Sequence, residues 1–336
     1  MIGARANVMI SLAVVSFCVG LSSGCSSDPG PPPLPSATAD GAKNTPPVVL
    51  ASASASGRVA PTPSGSPSTM ATSGLTGAAA AEIRVPTTIA PGEKRPFVLY
   101  LHGLGASGEV LRKVVELDAL AASKKFVYAA PDGPKNSKGQ QFWNASKACC
   151  NFDGSTVDHV AELRALIERA KSSPNVDPSR IYVIGFSNGG FMAHRLACDV
   201  EGISAIASVA GAAPLADEPC SPKQPVAILQ VHGDHDELIR YSGGQALSKP
   251  TLPAHPSAAD TTKSWATREH CKGTPSNSGT IDFEPKVLGD ETAILRYTGC
   301  DRPVELWTVQ GGSHFIGTNK GAQLSILAFF DGQFRP

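Results

Sequence analysis

The sequence predicts an α/β fold, a mostly parallel sheet flanked by helices, and three observations carry that expectation. Short apolar runs alternate with helical patterns after residue 82. The run PFVLYLHG is continuously apolar, as in a strand buried on both faces. The segment IGFSNGG, residues 184–190, joins a strong strand to a strong helix through a glycine-bounded serine.

In chain order, PFVLYLHG is the first expected strand and 109–122 the first helix. FVYAAPDG follows as a strand and 157–170 as a helix with Val157, Val160, Leu163, Ile167 and Ala170 on one face. Then come strand RIYVIG, helix 190–197, strands AIASVAG and VAILQVHG, and a helix over 260–268. Strands AILRY and VELWTV and a helix over 321–330 complete the pattern. In an open sheet of this order, ligands bind beyond the carboxyl ends of the strands.

The N-terminal quarter is of another kind. Residues 26–81 hold 10 of the 28 prolines, four charged residues and no aromatic, and they cannot bury enough apolar surface to offset ordering entropy. We read them as a stalk, with one catalytic domain at 82–336. Residues 1–25 read as an export signal: Arg5, a 14-residue apolar run over 8–21, then small residues ending at Cys25. The run is too short to span a bilayer. A small-residue stretch ending in cysteine resembles a bacterial lipobox, which implies lipidation of Cys25 and a membrane link only through that anchor. Free secretion is the alternative. Lys+Arg and Asp+Glu are 29 each, so no field of one sign is available to attract nucleic acid.

Beyond the signal remain Cys149, Cys150, Cys198, Cys220, Cys271 and Cys300. Six cysteines in an exported domain suggest up to three disulfides. Cys198 with Cys220 and Cys271 with Cys300 would each close a loop of tens of residues; the pairing of Cys149 and Cys150 stays open.

The chemistry concentrates at Ser187. A serine on a tight strand-to-helix turn needs small neighbours, which Gly185 and Gly189 supply, and the following helix aims N–H groups and its positive end at the same point. Such a serine needs a general base, and in this fold the order is serine, acid, histidine. VHGDHDELI offers Asp234 and Asp236 beyond a strand end, and VQGGSHFIG offers His314. Asp236 has the reach to turn toward the histidine, whereas Asp234 suits an Asx-type turn. An oxyanion hole would use the N–H of Asn188 and, from LHGLGASG, that of Leu104, with Gly105 in reserve. His102 reads as a structural histidine of that loop. The run His232, Asp234, His235, Asp236 also raises a metal site, but adjacent residues past a strand end diverge and no second cluster completes a ligand set. The expectation is no metal and no organic cofactor.

HGLGASG, WNASKACCNFD through VDHVAELRALI, GFSNGGFMAHRLAC, HGDHDELIRYSGG and GGSHFIG, in this order, resemble the bacterial α/β-hydrolase esterases of the polyhydroxybutyrate depolymerase and feruloyl esterase type. The resemblance covers nearly all of 82–336. It implies Ser187 as nucleophile, Asp236 as acid, His314 as base and Leu104 with Asn188 as the hole. It also implies an exported serine esterase cleaving esters of polymeric or aromatic acids. Family members often carry Trp-Pro after the histidine, where this chain has Phe315 and Ile316, and Val-Pro-Tyr after the acid, where it has Ile239, Arg240 and Tyr241. Substrate identity is therefore not carried over. Trp143, Phe315 and Tyr241 are the expected substrate contacts, with packing of the 143–150 loop as the other reading of Trp143. A serine peptidase of the same fold and a non-catalytic cell-surface binding lipoprotein are the alternatives.

Overall fold

The structure is a computed structural model that describes residues 74–335. The expected signal, Cys25 and most of the expected stalk lie outside the described residues.

Eight strands form one sheet in the order β2-β1-β3-β4-β5-β8-β7-β6. They are β1 (Arg95–Leu101), β2 (Val127–Ala129), β3 (Val176–Phe186), β4 (Ala205–Val209), β5 (Ala227–Gly233), β6 (Ser276–Ile281), β7 (Thr292–Arg296) and β8 (Val304–Val309). All pairings from β2 through β8 are parallel, and β7 runs antiparallel to both of its neighbours. The strands expected from the apolar runs are all present. β6 was not foreseen: its residues are almost entirely exposed, so the edge strand carries no apolar run.

Period-two alternation assigns the two faces. From β1, Phe97, Leu99 and Leu101 enter the core shared with α3 (His159–Lys171), α4 (Asn188–Asp199) and α5 (Ala258–Arg268). Val98 and Tyr100 enter the opposite core, shared with α1 (Gly108–Val114), α2 (Leu117–Lys124) and α6 (Lys320–Phe330). The result is a three-layer sandwich, the α/β-hydrolase architecture.

Two expected helices differ in detail. The single helix over 109–122 is two, α1 and α2, because Glu116 takes the left-handed conformation at φ 55° and breaks the ladder. α3 begins at His159, since the Asp158 side chain accepts from Ala161 N at 2.9 Å and caps it there, leaving Val157 outside. Packing also starts before residue 82: Ala78 and Ala79 are buried, and Ala78 N donates to Glu162 of α3 at 3.1 Å.

Three disulfides form, Cys198–Cys220, Cys271–Cys300 and, between chain neighbours, Cys149–Cys150.

Candidate active site

The chain leaves β1 toward β2 on one side and returns to β3 on the other, so the carboxyl ends of β1 and β3 open a crevice between them. Ser187 stands at the end of β3, at φ 53°, a left-handed conformation that a side chain adopts only when its surroundings impose it. Its glycine neighbours let the chain make so tight a turn by permitting close backbone approach. A Cβ on Gly185 would lie 2.0 Å from Gly189 O, and one on Gly189 would lie 2.3 Å from Leu101 O. Both positions exclude any side chain. Ser187 N donates to Val209 O at 2.8 Å, and the α4 ladder starts with Gly190 and Phe191 N, both on Ser187 O. The N–H of Asn188 therefore precedes the ladder, at the positive end of the helix.

The loop after β1 faces this turn. Gly105 N, the reserve donor of the sequence reading, is engaged by Gln141 O at 2.8 Å. His102 steadies it: Gly133 N donates to His102 Nε2 at 3.0 Å, so the ring proton sits on Nδ1 and is donated to Gly103 O at 2.8 Å. Burial lowers the pKa of His102, consistent with that neutral tautomer.

Trp143 takes the packing place that was its other reading. It is fully buried, its Nε1 donates to His102 O at 3.0 Å, and its backbone is clamped by the Asn188 side chain, which accepts from Trp143 N at 2.6 Å and donates to Trp143 O at 2.9 Å. An indole with its one donor satisfied by backbone ties the loop after β1 to the start of α4. This side-chain role of Asn188 was not foreseen. Tyr241 is also displaced from its expected role: its hydroxyl bonds Thr308 Oγ1 at 2.8 Å, its ring meets His232 edge-on, and it lines a different depression from Ser187.

Asp236 and His314 meet. His314 Nδ1 donates to Asp236 Oδ2 at 2.7 Å, while Asp236 Oδ1 accepts from Leu238 N at 2.9 Å and Ile239 N at 2.8 Å. Burial alone would raise the carboxyl pKa; hydrogen bonds from His232 and His314, the nearby imidazole and the Ile239 N–H together hold it well below the usual carboxylate range. Asp234 does not make the Asx-type turn expected of it: its carboxylate accepts from Gly311 N at 2.7 Å and from His235 Nδ1 at 2.7 Å, and so ties the His314 loop to the end of β5, while the side chain that accepts from the N–H two residues on is that of Asp236. The suspected metal run is divided by that geometry: His232 and Asp236 point inward while His235 is exposed. Among the described residues no group of three His, Cys, Asp or Glu side chains is placed to hold a metal ion.

Ser187, His314 and Leu104 line one cavity of about 360 Å³, walled by apolar side chains including Phe186, Val209, Leu238 and Ile316. Among the described residues no hydrogen bond joins Ser187 Oγ to the imidazole; such contacts are commonly long in unliganded sites and tighten with substrate. Phe315 stands at the mouth, 73% exposed, with its ring edge-on to His314 at 5.4 Å. Val110 and Val114 also line the cavity and are exposed. They escaped the sequence reading, although two valines four apart on a surface helix were a signal of an apolar face without a partner.

The family model described as Phospholipase/Carboxylesterase matches residues 85–270, more than half of the chain. The chain belongs to that family. The phospholipase/carboxylesterase match includes Ser187 and Asp236 and ends before His314, so the histidine rests on its geometry with Asp236. Similar proteins include a putative esterase, NocK, of Nocardia uniformis subsp. tsuyamanensis, 30% identical over 66% of this chain and 65% of that protein. Feruloyl esterase B of Piromyces equi is 27% identical over 71% of this chain and 43% of its own length. The chain thus spans less than two thirds of either relative. Among solved structures, the acetyl xylan esterase of Aspergillus awamori superposes with a TM-score of 0.54 at 15% identity, covering 80% of this chain and 99% of that one. At that identity the likeness shows the fold alone.

Proposed function

We propose that this member of the phospholipase/carboxylesterase family is an exported serine carboxylic-ester hydrolase that works through an acyl-enzyme at Ser187. His314 gives its Nδ1 proton to the Asp236 hydrogen bond, so Nε2 is the nitrogen that takes the hydroxyl proton as Ser187 Oγ adds to the ester carbonyl carbon. The oxygen that becomes negative is met by the N–H groups of Leu104 and Asn188. Collapse breaks the ester C–O bond, and the imidazolium protonates the departing alcohol. Water then enters by the same route: His314 takes its proton, the acid is released and Ser187 recovers its hydrogen. No metal or organic cofactor takes part.

The observation that carries this reading is the Asp236–His314 hydrogen bond, whose imidazole lines the same apolar cavity as Ser187, a serine held at φ 53° on a glycine-bounded turn. The cavity's apolar walls suit a compact aromatic or short aliphatic acyl group, and its exposed rim suits an ester that is part of a polymer. Feruloyl or acetyl esters of polysaccharide, or hydroxyalkanoate oligomers, meet both conditions, in keeping with the names of the relatives. Export follows from the signal-like residues 1–25, with Cys25 as lipidation site and the following residues as a stalk. The pairing of all six remaining cysteines fits an oxidising compartment.

Ser187→Ala should abolish hydrolysis of p-nitrophenyl acetate and labelling by a fluorophosphonate while leaving the melting curve native. Full activity in that variant overturns the mechanism. Methyl ferulate, acetylated xylan and hydroxybutyrate oligomers, assayed side by side with the wild-type chain, decide the ester class.

A further inference from the structure

Four polar side chains outside the proposed mechanism form a buried file that ends on Asp236. Trp265 of α5, His194 of α4, and Gln230 and His232 of β5 are each 0–1% exposed. Trp265 Nε1 bonds His194 Nδ1 at 2.9 Å, and His194 Nε2 bonds Gln230 Oε1 at 2.9 Å. Gln230 Nε2 bonds His232 Nδ1 at 3.2 Å and Gly211 O at 2.9 Å. His232 Nε2 bonds Ile239 O at 2.7 Å and reaches Asp236 Oδ2 at 3.2 Å.

The direction of every bond follows from one end. An indole nitrogen can only donate, so His194 Nδ1 accepts and its proton sits on Nε2. That proton goes to the Gln230 oxygen, which turns the amide nitrogen toward His232. His232 Nδ1 therefore accepts, and its proton lies on Nε2, aimed at Ile239 O and the Asp236 carboxylate. The carbonyls of Ile239 and Gly211 agree with this order, since they too can only accept. Burial lowers the pKa of His194 to about 4, so it stays neutral at working pH.

Resting on the serine-hydrolase reading, we propose that His232 is a positioning residue, held by the Trp265–His194–Gln230 file as a fixed second donor to Asp236. Asp236 Oδ2 is then shared between His314 and His232, and Oδ1 is taken by two backbone N–H groups. The carboxylate cannot rotate. Part of its charge is also balanced before His314 becomes imidazolium, which sets how strongly that cation is favoured. The other titratable or charged groups facing this file are few. His255 lies beside His232 and Asp236 with Nδ1 on Pro256 O; Tyr241 packs edge-on to His232; Arg268 sits over the Trp265 ring and beside His194.

The test compares His232→Leu, which removes the donor, with His232→Gln, whose amide can accept from Gln230 and donate to Asp236. The kcat and KM of the full chain for p-nitrophenyl butyrate are read from pH 5 to 9, with melting curves. The imidazole of His314 is titrated by NMR in parallel. His232→Leu should lower kcat about tenfold, as for one lost hydrogen bond to a charged group, at similar KM. The acid limb of kcat and the His314 titration should both move upward relative to wild type, because the carboxylate left with one donor fewer favours the imidazolium more. His232→Gln should return both toward wild type. If both variants lose activity equally at every pH and the His314 titration stays in place, His232 is a packing residue and the proposal falls. A wild-type chain without hydrolase activity would instead count against the serine-hydrolase reading, and the NMR titration would still decide the file.

Discussion

Replacing Asp236 with Asn changes one oxygen into an NH2 group and almost nothing in shape, yet four donors converge on that carboxylate. Leu238 and Ile239 N–H, at 2.9 and 2.8 Å, belong to the backbone and cannot reverse, so the amide oxygen must face them. The NH2 then confronts His314 Nδ1, formerly 2.7 Å from oxygen, and the His232 Nε2 proton. Donor meets donor. His314 escapes only by moving its proton to Nε2, and an imidazole protonated there cannot accept from Ser187. The expected loss in kcat is on the order of 10⁴-fold, as for the equivalent change in a chymotrypsin-type triad, with KM altered only slightly. Hydrolysis of p-nitrophenyl acetate from pH 5 to 9, with a melting curve to confirm folding, measures it. A folded Asp236→Asn variant whose kcat lies within tenfold of wild type would refute the assignment of Asp236 and the tautomer argument together.

Glu269 is 1% exposed, and burial pushes its pKa up to about 7 although Val226 N donates to it at 2.9 Å. Below pH 4.5 the carboxyl is neutral in both states; between 4.5 and about 7 only the unfolded chain ionises, so this group's contribution to stability declines as pH rises. The Tm of Glu269→Gln minus that of wild type should therefore grow in the variant's favour across that window and level off above it, and a difference independent of pH would contradict the shift. Phe315→Ala should raise KM for methyl ferulate about fivefold, the worth of one aromatic contact, while p-nitrophenyl acetate turnover and Tm stay near wild type. Equal effects on both esters would remove Phe315 from the acyl-binding surface.

Much of the layout was readable because burial in a doubly covered sheet leaves long apolar runs, as in β1 and β5. β6 was not readable, for SNSGTI faces water along the sheet edge and shows no apolar period. Nor was the break at Glu116, which no glycine or proline announces. Ser187 stood out because two flanking glycines and a strand-helix boundary are all local in sequence. Trp143 and Tyr241 were open for the opposite reason: an aromatic ring suits a core as well as a pocket, and only its hydrogen-bond partners tell which.

From the amino-acid order alone came the parallel sheet and the serine turn, since each depends on neighbours close along the chain, and the expectation of Asp236 and His314 as later partners of Ser187. Tertiary structure decided that Asp236 rather than Asp234 meets His314, that Asn188 clamps Trp143, and that Phe315 alone of the three expected aromatic contacts faces the cavity. It also decided that Trp265 and His194 bear on an aspartate in a distant loop. The reason is physical: a hydrogen bond is directional and needs two atoms within about 3 Å, and which atoms come that close is settled when helices and strands pack, not when the chain is written.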